Sequence, residues 1–411
     1  MIRERWQRSA SVLTASAMLS SFLLVLALSP TTAQQGQTPA QAPQRGIAWG
    51  CNDPKWLARK AINKQLSLIA GYQLYESLWN SVGWLSKREP ASGERAVGET
   101  ALIGLAMLGS GANPQTGLGK SALIASTEAL VAKQNAESGA IGDPASKEFL
   151  LDHTLALIAL SENYFSLQVP ELEVAPKLAL KALLAARGED GLWHAEGKQD
   201  GPVDPLVTAL AGYALFGARA AHLEVPDEAF EKVFAWTGQV AERAKAARNE
   251  AVERAAGLEF AGALCARSFV AASLKRSLAG DVAARQLSDV IAAQIPPPPG
   301  AEEWKAPERL ADPDFAFFAS LGLFQSDNAA AGRCSRWLAA MFEADCTKPA
   351  PNEQKEGAQT PKGKAPVDPN AGSFPEQDVG RFPPGQIGTT ALRLLGMQNS
   401  VRELSLGVFA Q

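Results

Sequence analysis

The chain has 411 residues and a mass of 43.4 kDa; 46% of them are apolar and 20% charged, enough to bury a sizeable core. A formal charge of −4 at pH 7 and a pI near 5.7 provide no basic footprint, which excludes an electrostatically driven nucleic-acid partner. Three histidines and four cysteines leave few residues for metal or thiol chemistry.

At the N-terminus, Arg3, Arg5 and Arg8 precede the uncharged, mostly apolar run Val12 to Leu28, and Pro30-Thr31-Thr32-Ala33 supplies small residues after it. That order predicts a secretory signal over residues 1–33, cleaved after Ala33. The apolar run lies at the lower limit of a bilayer span, so a membrane tether follows only if the signal stays uncleaved. Either way the body is expected outside the cytoplasm, in the periplasm, at the envelope or in the extracellular medium. Residues 34–48, rich in Gln, Pro and Thr, read as a flexible linker.

From residue 49 to 399 the chain repeats one unit. The clearest copy runs from Ala175 to Ala221: a helix rich in Ala and Leu, the turn Gly188-Glu189-Asp190-Gly191-Leu192-Trp193, then a helix of small apolar residues opened by Asp204 and Pro205. Comparable first helices begin near Lys60, Ser121, Pro176, Ala229, Asp281 and Ala330, at spacings that shrink from about 61 to about 49 residues. The second helices carry Glu99 to Leu102, His153 to Leu157, Val207 to Leu210, Phe260 to Ala263, Phe315 to Ala319 and Thr389 to Leu392. No window alternates like a strand, and Gly and Pro punctuate the periodic segments. The prediction is an all-α fold: an α6/α6 toroid, or barrel, of six helix pairs with the small-residue helices inside. Ile295 to Gly300, with four prolines, breaks one helix, and residues 347–384 read as a disordered insertion. Residues 400–411 form a tail.

Cys334 and Cys346 lie near each other in sequence, but twelve residues of helix separate their Cα atoms by about 18 Å, beyond the ~7 Å limit of a disulfide. A ring would bring first and last repeats together, which makes Cys51 with Cys346 (or Cys334) the pair to consider. Cys265, in an apolar helix, reads as an inert core residue.

Three turns carry a resemblance to a known family. Lys181 to Trp193 resembles a Gln-x-x-x-Gly-x-Trp turn, with Arg187 in the glutamine's place and Gly191 and Trp193 retained. Gln134 to Ile141 is a longer copy without the tryptophan, and Ala371-Gly372-Ser373-Phe374 resembles the end of a third. On these residues the chain resembles the prenyltransferase/squalene oxidase repeat family, the α/α-toroids of terpene cyclases and protein prenyltransferase β-subunits. Within that family it is most similar to exported, uncharacterised planctomycete-type repeat proteins. The resemblance implies the toroid fold; fold alone leaves function open.

The chemistry of such a family needs specific groups. A cyclase protonates its substrate with a neutral carboxylic acid polarised by neighbours, supplied by an Asp-x-Asp-Asp-Thr opening of an inner helix. Asp204 and Thr208 match that frame, but Leu206 and Val207 replace its other aspartates; Asp312-Pro313-Asp314 is a second partial match. Zinc in prenyltransferases is held by Asp, Cys and His, and no such frame surrounds His153, His194 or His222, so no metal and no cofactor is expected. His153 follows Asp152 at a helix start, where it serves either catalysis or a hydrogen bond to a neighbouring turn. Glu99, Asp152, Asp204, Glu259 and Asp314 each fall near the start of a second helix. They are either helix-start acids that answer the macrodipole or a carboxylate rim facing a ligand. Phe315, Phe317, Phe318 and Phe324 line an apolar cavity or pack the core, and Trp193, Trp236 and Trp337 read as packing residues. The catalytic candidates are therefore Asp204, Asp314 and His153, and the cavity candidates Glu99, Asp152, Glu259, Phe315, Phe317 and Phe318. The leading functional expectation is a non-catalytic binding or scaffold protein that contacts an unknown protein or an apolar ligand. The alternatives are an enzyme acting on an isoprenoid or other apolar substrate, and a carboxylate-dependent glycan-active toroid.

Overall fold

The computed structural model describes residues 78–112, 119–167, 170–198, 201–247, 252–296, 308–326, 330–346 and 370–399. The signal and linker, Cys51 and the first helix expected near Lys60 lie outside the described residues. The described residues are all-helical, with no strand among them. Helical residues 78–85 come first. Then follow α1 (Ala96–Gly109), α2 (Lys120–Ala132), α3 (Phe149–Leu167), α4 (Pro170–Ala185), α5 (Pro205–Ala220) and α6 (Asp227–Ala246). The remaining helices are α7 (Arg254–Ser273), α8 (Val282–Ala293), the single turn α9 (Glu308–Ala311), α10 (Pro313–Gln325), α11 (Ala331–Asp345) and α12 (Gly385–Gln398).

Burial separates the helices into two layers. In α5 every residue from Leu206 to Ala218 is buried, in α10 every residue from Pro313 to Leu323, and in α12 every residue from Gly388 to Gln398. A helix that is apolar on all sides must be enclosed on all sides. In α6 only Ala229, Phe230, Val233, Trp236, Thr237, Val240, Ala241 and Ala244 are buried, a single stripe at helical spacing. Asp227 and Glu228 open that helix, and Arg243 and Lys245 close it, each sign placed to complement the helix dipole. The enclosed helices contact one another in chain order, α1 with α3, α3 with α5, α5 with α7, α7 with α10 and α10 with α12, and α12 packs back against α1. The striped helices cover them: α2 lies on α1, α4 on α3, α6 and α8 on α7, and α11 on α10 and α12. Only α7 is long and apolar enough among the described helices to cross a membrane, and 72% of that window is buried by its neighbours.

Three of the turns that join covering helices to enclosed ones repeat a single device. Gly139, Gly191 and Gly372 all adopt positive φ (78°, 84° and 96°). A Cβ at Gly139 would stand 2.1 Å from Leu178 O in α4, one at Gly191 2.7 Å from Lys232 Cγ in α6, and one at Gly372 2.1 Å from Asn80 O in residues 78–85. Each turn thus seats on the next covering helix, and the last seats on the first described one. Two residues beyond each glycine stands a large side chain with no exposure: Ile141, Trp193 and Phe374. Gln134 Nε2 donates to Ala175 O in α4 (2.9 Å), and Arg187 Nη1 reaches Glu228 at the start of α6 (3.0 Å), so either residue type can tie its turn forward. Trp193 Nε1 donates to Leu183 O (2.9 Å) and Trp337 Nε1 to Pro296 O (2.9 Å), which gives both indoles the partner they need when buried.

The cysteines follow from the same packing. Cys265 and Cys334 are buried, free thiols, and Cys346 is buried as well. Burial holds Cys265 far above the ordinary thiol range and pushes Cys334 up to about 12, so both are inert towards thiolate chemistry at neutral pH. Cys346 Sγ lies 3.5 Å from Ser81 Oγ, which confirms that the end of α11 meets the start of the described chain.

Candidate functional site

The enclosed helices α1, α3, α5, α7 and α10 begin at one end of the layer, and their first turns carry most of the acids singled out from sequence. Asp204 is the N-cap of α5: its Oδ1 accepts from Leu206 N and Val207 N (both 3.1 Å), and Pro205 opens the helix with the φ it needs. Asp152 lies in the first turn of α3 and binds Arg95 through two hydrogen bonds (2.7 and 3.1 Å). Burial raises its carboxyl above the usual range, against the lowering effect of Arg95. Asp314, in the first turn of α10, accepts from Phe315 N (2.7 Å) and lies 3.8 Å from Arg254. Burial raises this carboxyl too. Glu99 is half-buried, raised by burial, and has no ion pair among the described residues. Glu259 stands apart: it faces the covering layer and pairs with Arg243 of α6 (2.6 Å).

The part that sequence reasoning missed is what lies across these helix starts. Residues 374–384, inside the stretch expected to be a disordered insertion, form a strap over them. Residues 347–369 of that stretch lie outside the described residues. From the strap, Arg381 grips Glu148 at the entry to α3 (2.7 and 2.9 Å) and Asp204 at the entry to α5 (2.6 Å). Its carbonyl accepts from Arg95, the N-cap of α1 (2.9 Å). Asp378 binds Arg254, the first residue of α7, which also reaches Asp312 (3.1 Å). A Cβ at Gly380 would press on Asp314 Oδ2 (2.7 Å), and Pro383 lies against the first turn of α1. Phe382, 1% exposed, inserts beside Phe317 and Phe318, with ring centroids 6.4 and 6.2 Å away. Phe315, Phe317 and Phe318 are all buried, so the aromatic cluster is packed by the strap; Phe324, at the far end of α10, is 42% exposed.

One sequence signal pointed to this arrangement. Arg95 and Arg254 stand at helix N-termini, where the dipole disfavours a cation, so each required an acidic partner nearby. Arg381 had no such signal, because its proline-rich surroundings show no periodicity.

His153 is away from the strap. Its Nδ1 accepts from Ile141 N (3.1 Å) and its Nε2 donates to Ala179 O (3.0 Å), a neutral ring that ties the Gln134–Ile141 turn to α4. Burial pulls its pKa down to about 4. Deeper between the helices, Tyr213 of α5 donates to Glu162 of α3 (2.5 Å) and stacks on Phe269 of α7 at 4.5 Å. Among the described residues no three His, Cys, Asp or Glu side chains are placed to hold a metal ion.

Comparison with known proteins yields no match: no family model fits the chain, and neither a curated protein nor a solved structure matches it.

Proposed function

We propose that the chain is an exported α/α-toroid of the prenyltransferase/squalene oxidase repeat type that works as a non-catalytic binding or scaffold protein. The toroid reading is supported by the return of α12 to α1 and by three turn glycines, each seated on the following covering helix. The functional reading rests on one observation: the strap lies over the helix starts, and Asp152, Asp204 and Asp314 are each held by an arginine. A cyclase acid has to be protonated and aimed at its substrate, whereas Asp204 is committed to capping α5 and to Arg381. A glycan-active pair has to flank a bond with room for sugar between the carboxylates, and the guanidinium of Arg381 fills the space between Glu148 and Asp204. The apolar-substrate alternative keeps one point in its favour, the raised carboxyl of Asp314 close to the Phe317 and Phe318 cluster.

Native mass spectrometry of the mature protein from its own envelope tests the reading. The expected result is a chain without an isoprenoid, retained with a protein partner. A bound isoprenoid of discrete mass, or turnover of one that Asp314→Asn abolishes, overturns it in favour of the enzyme.

A further inference from the structure

We propose that His194 is a pH-operated latch that clamps the entry to α5 while its ring carries a positive charge. The inference does not rest on the function proposed above. It starts from two partners of the ring, a carbonyl and a carboxylate. His194 Nδ1 lies 2.7 Å from Gly201 O, and Nε2 lies 2.9 Å from Asp190 Oδ1. Asp190 is ionised: against the raising effect of burial, hydrogen bonds from Leu192 N (3.0 Å) and His194 and the charges of His194 and Lys232 hold its carboxyl below the usual range. Both partners therefore only accept. A neutral imidazole has one N–H and serves one of them, so the two contacts together require the doubly protonated ring. The residue is 7% exposed, which leaves little water to replace a lost contact.

Among the described residues, two covering or enclosed helices and the entry to α5 bring charge towards this turn. Lys232 of α6 lays its stem against Gly191 and acts on Asp190. The helix α3 packs on residues 195–197, and the acids at its start, Glu148 and Asp152, are bound by Arg381 and Arg95. Asp204, at the entry to α5, is also bound by Arg381. In the ring's own stretch of chain, Glu189 and Lys198 are exposed.

Deprotonation of the ring removes one of its two contacts, and charge decides which. The ionised Asp190 keeps the remaining N–H, and the bare Nδ1 lone pair then faces the Gly201 carbonyl at hydrogen-bond distance. Gly201 must withdraw. Gly201 to Val203 lead directly into Asp204, which caps α5 and is gripped by Arg381 of the strap. Two backbone bonds close beside the ring, Ala195 N to Pro202 O (3.0 Å) and Asp204 N to Trp193 O (2.8 Å). The folded turn selects the charged ring, so the latch holds at neutral pH and loosens both bonds as pH rises through deprotonation of the ring.

Nitrogen-15 NMR of the chain labelled in its three histidine rings tests the charge, with His194 identified by its loss in His194→Gln or its shift in Asp190→Asn. Both His194 nitrogens are expected to carry a proton at pH 7, and Asp190→Asn is expected to leave the ring singly protonated at that pH. Hydrogen exchange, corrected for intrinsic rates, tests the latch. Protection of the Ala195 and Asp204 amides should fall about fivefold across the pH range in which the wild-type ring loses its proton. Over the same range it should stay within about twofold in Asp190→Asn. A singly protonated His194 at pH 7 in the folded wild type overturns the proposal, and so does protection that persists once the ring has lost its proton.

Discussion

At the scale of a residue, His153 shows how a polar group in a core serves packing. Its ring satisfies a backbone N–H and a backbone C=O that would otherwise be buried without partners, and Phe149 stacks on it at 5.5 Å. Replacing it by Leu orphans both groups, with an expected loss of about 2–4 kcal/mol at pH 7. The same histidine makes stability depend on pH. With a folded pKa near 4 against an ordinary 6.5, the unfolded chain takes up a proton that the folded chain refuses. Its contribution is complete above pH 6.5 and is lost as pH falls towards 4, by up to about 3 kcal/mol. Asp152, Asp314 and Glu99, raised by burial, act with the opposite sign in the acid range. Urea midpoints at pH 7 and pH 5 should therefore fall further in the wild type than in His153→Leu, and equal falls would refute the assignment. The sequence marked His153 as a helix-start residue close to a turn. Ala179, its second partner, lies 26 residues on in another helix, and no local pattern connects the two.

At the scale of an element, the glycine turns explain why the helix pairs were legible. Apolar stripes at helical spacing and glycine punctuation are local properties, and they placed the covering helices near Ser121, Pro176, Ala229, Asp281 and Ala330 where α2, α4, α6, α8 and α11 run. Pro176 proved to lie inside α4, which begins six residues earlier at Pro170. The part Arg187 plays in its turn became intelligible only once Glu228 stood in front of it. Contact of the turn backbone with the next helix sets a second expectation. Gly372 and Gly280 share positive φ (96° and 80°), but a Cβ at Gly280 meets nothing within 4 Å whereas one at Gly372 meets Asn80 O at 2.1 Å. Alanine should therefore cost about 1–3 kcal/mol more at Gly372 than at Gly280, measured by chemical denaturation of the two variants. Equal losses would mean that the turn does not bear on residues 78–85.

At the scale of the molecule, a ring was expected to bring first and last repeats together, but the particular contacts that join the two ends of the described chain were beyond the reach of sequence pattern. Ser81 donates to Gly372 O across 291 residues, and Arg95 to Arg381 O across 286. Composition made the strap look like part of an insertion, because its order comes from single contacts with five helix starts and not from any periodicity of its own. Two of those contacts differ in a way that can be measured. Arg381 is 38% exposed, yet it neutralises Asp204, whose side chain is 2% exposed, and Glu148 at 13%. Its removal strands two largely buried carboxylates. The expected cost of Arg381→Ala is about 2 kcal/mol, between the values for exposed pairs and for fully buried ones. Asp378, 71% exposed, offers Arg254 a partner that Asp312 and Asp314 partly duplicate, so Asp378→Ala should cost under about 1 kcal/mol. Hydrogen exchange locates the effect: amides of residues 378–382 and of the first turns of α3 and α5 should exchange faster in Arg381→Ala and remain near wild type in Asp378→Ala. If both variants leave those amides protected, the strap is held by Phe382 packed on Phe317 and Phe318, and its arginine only neutralises charge already in place.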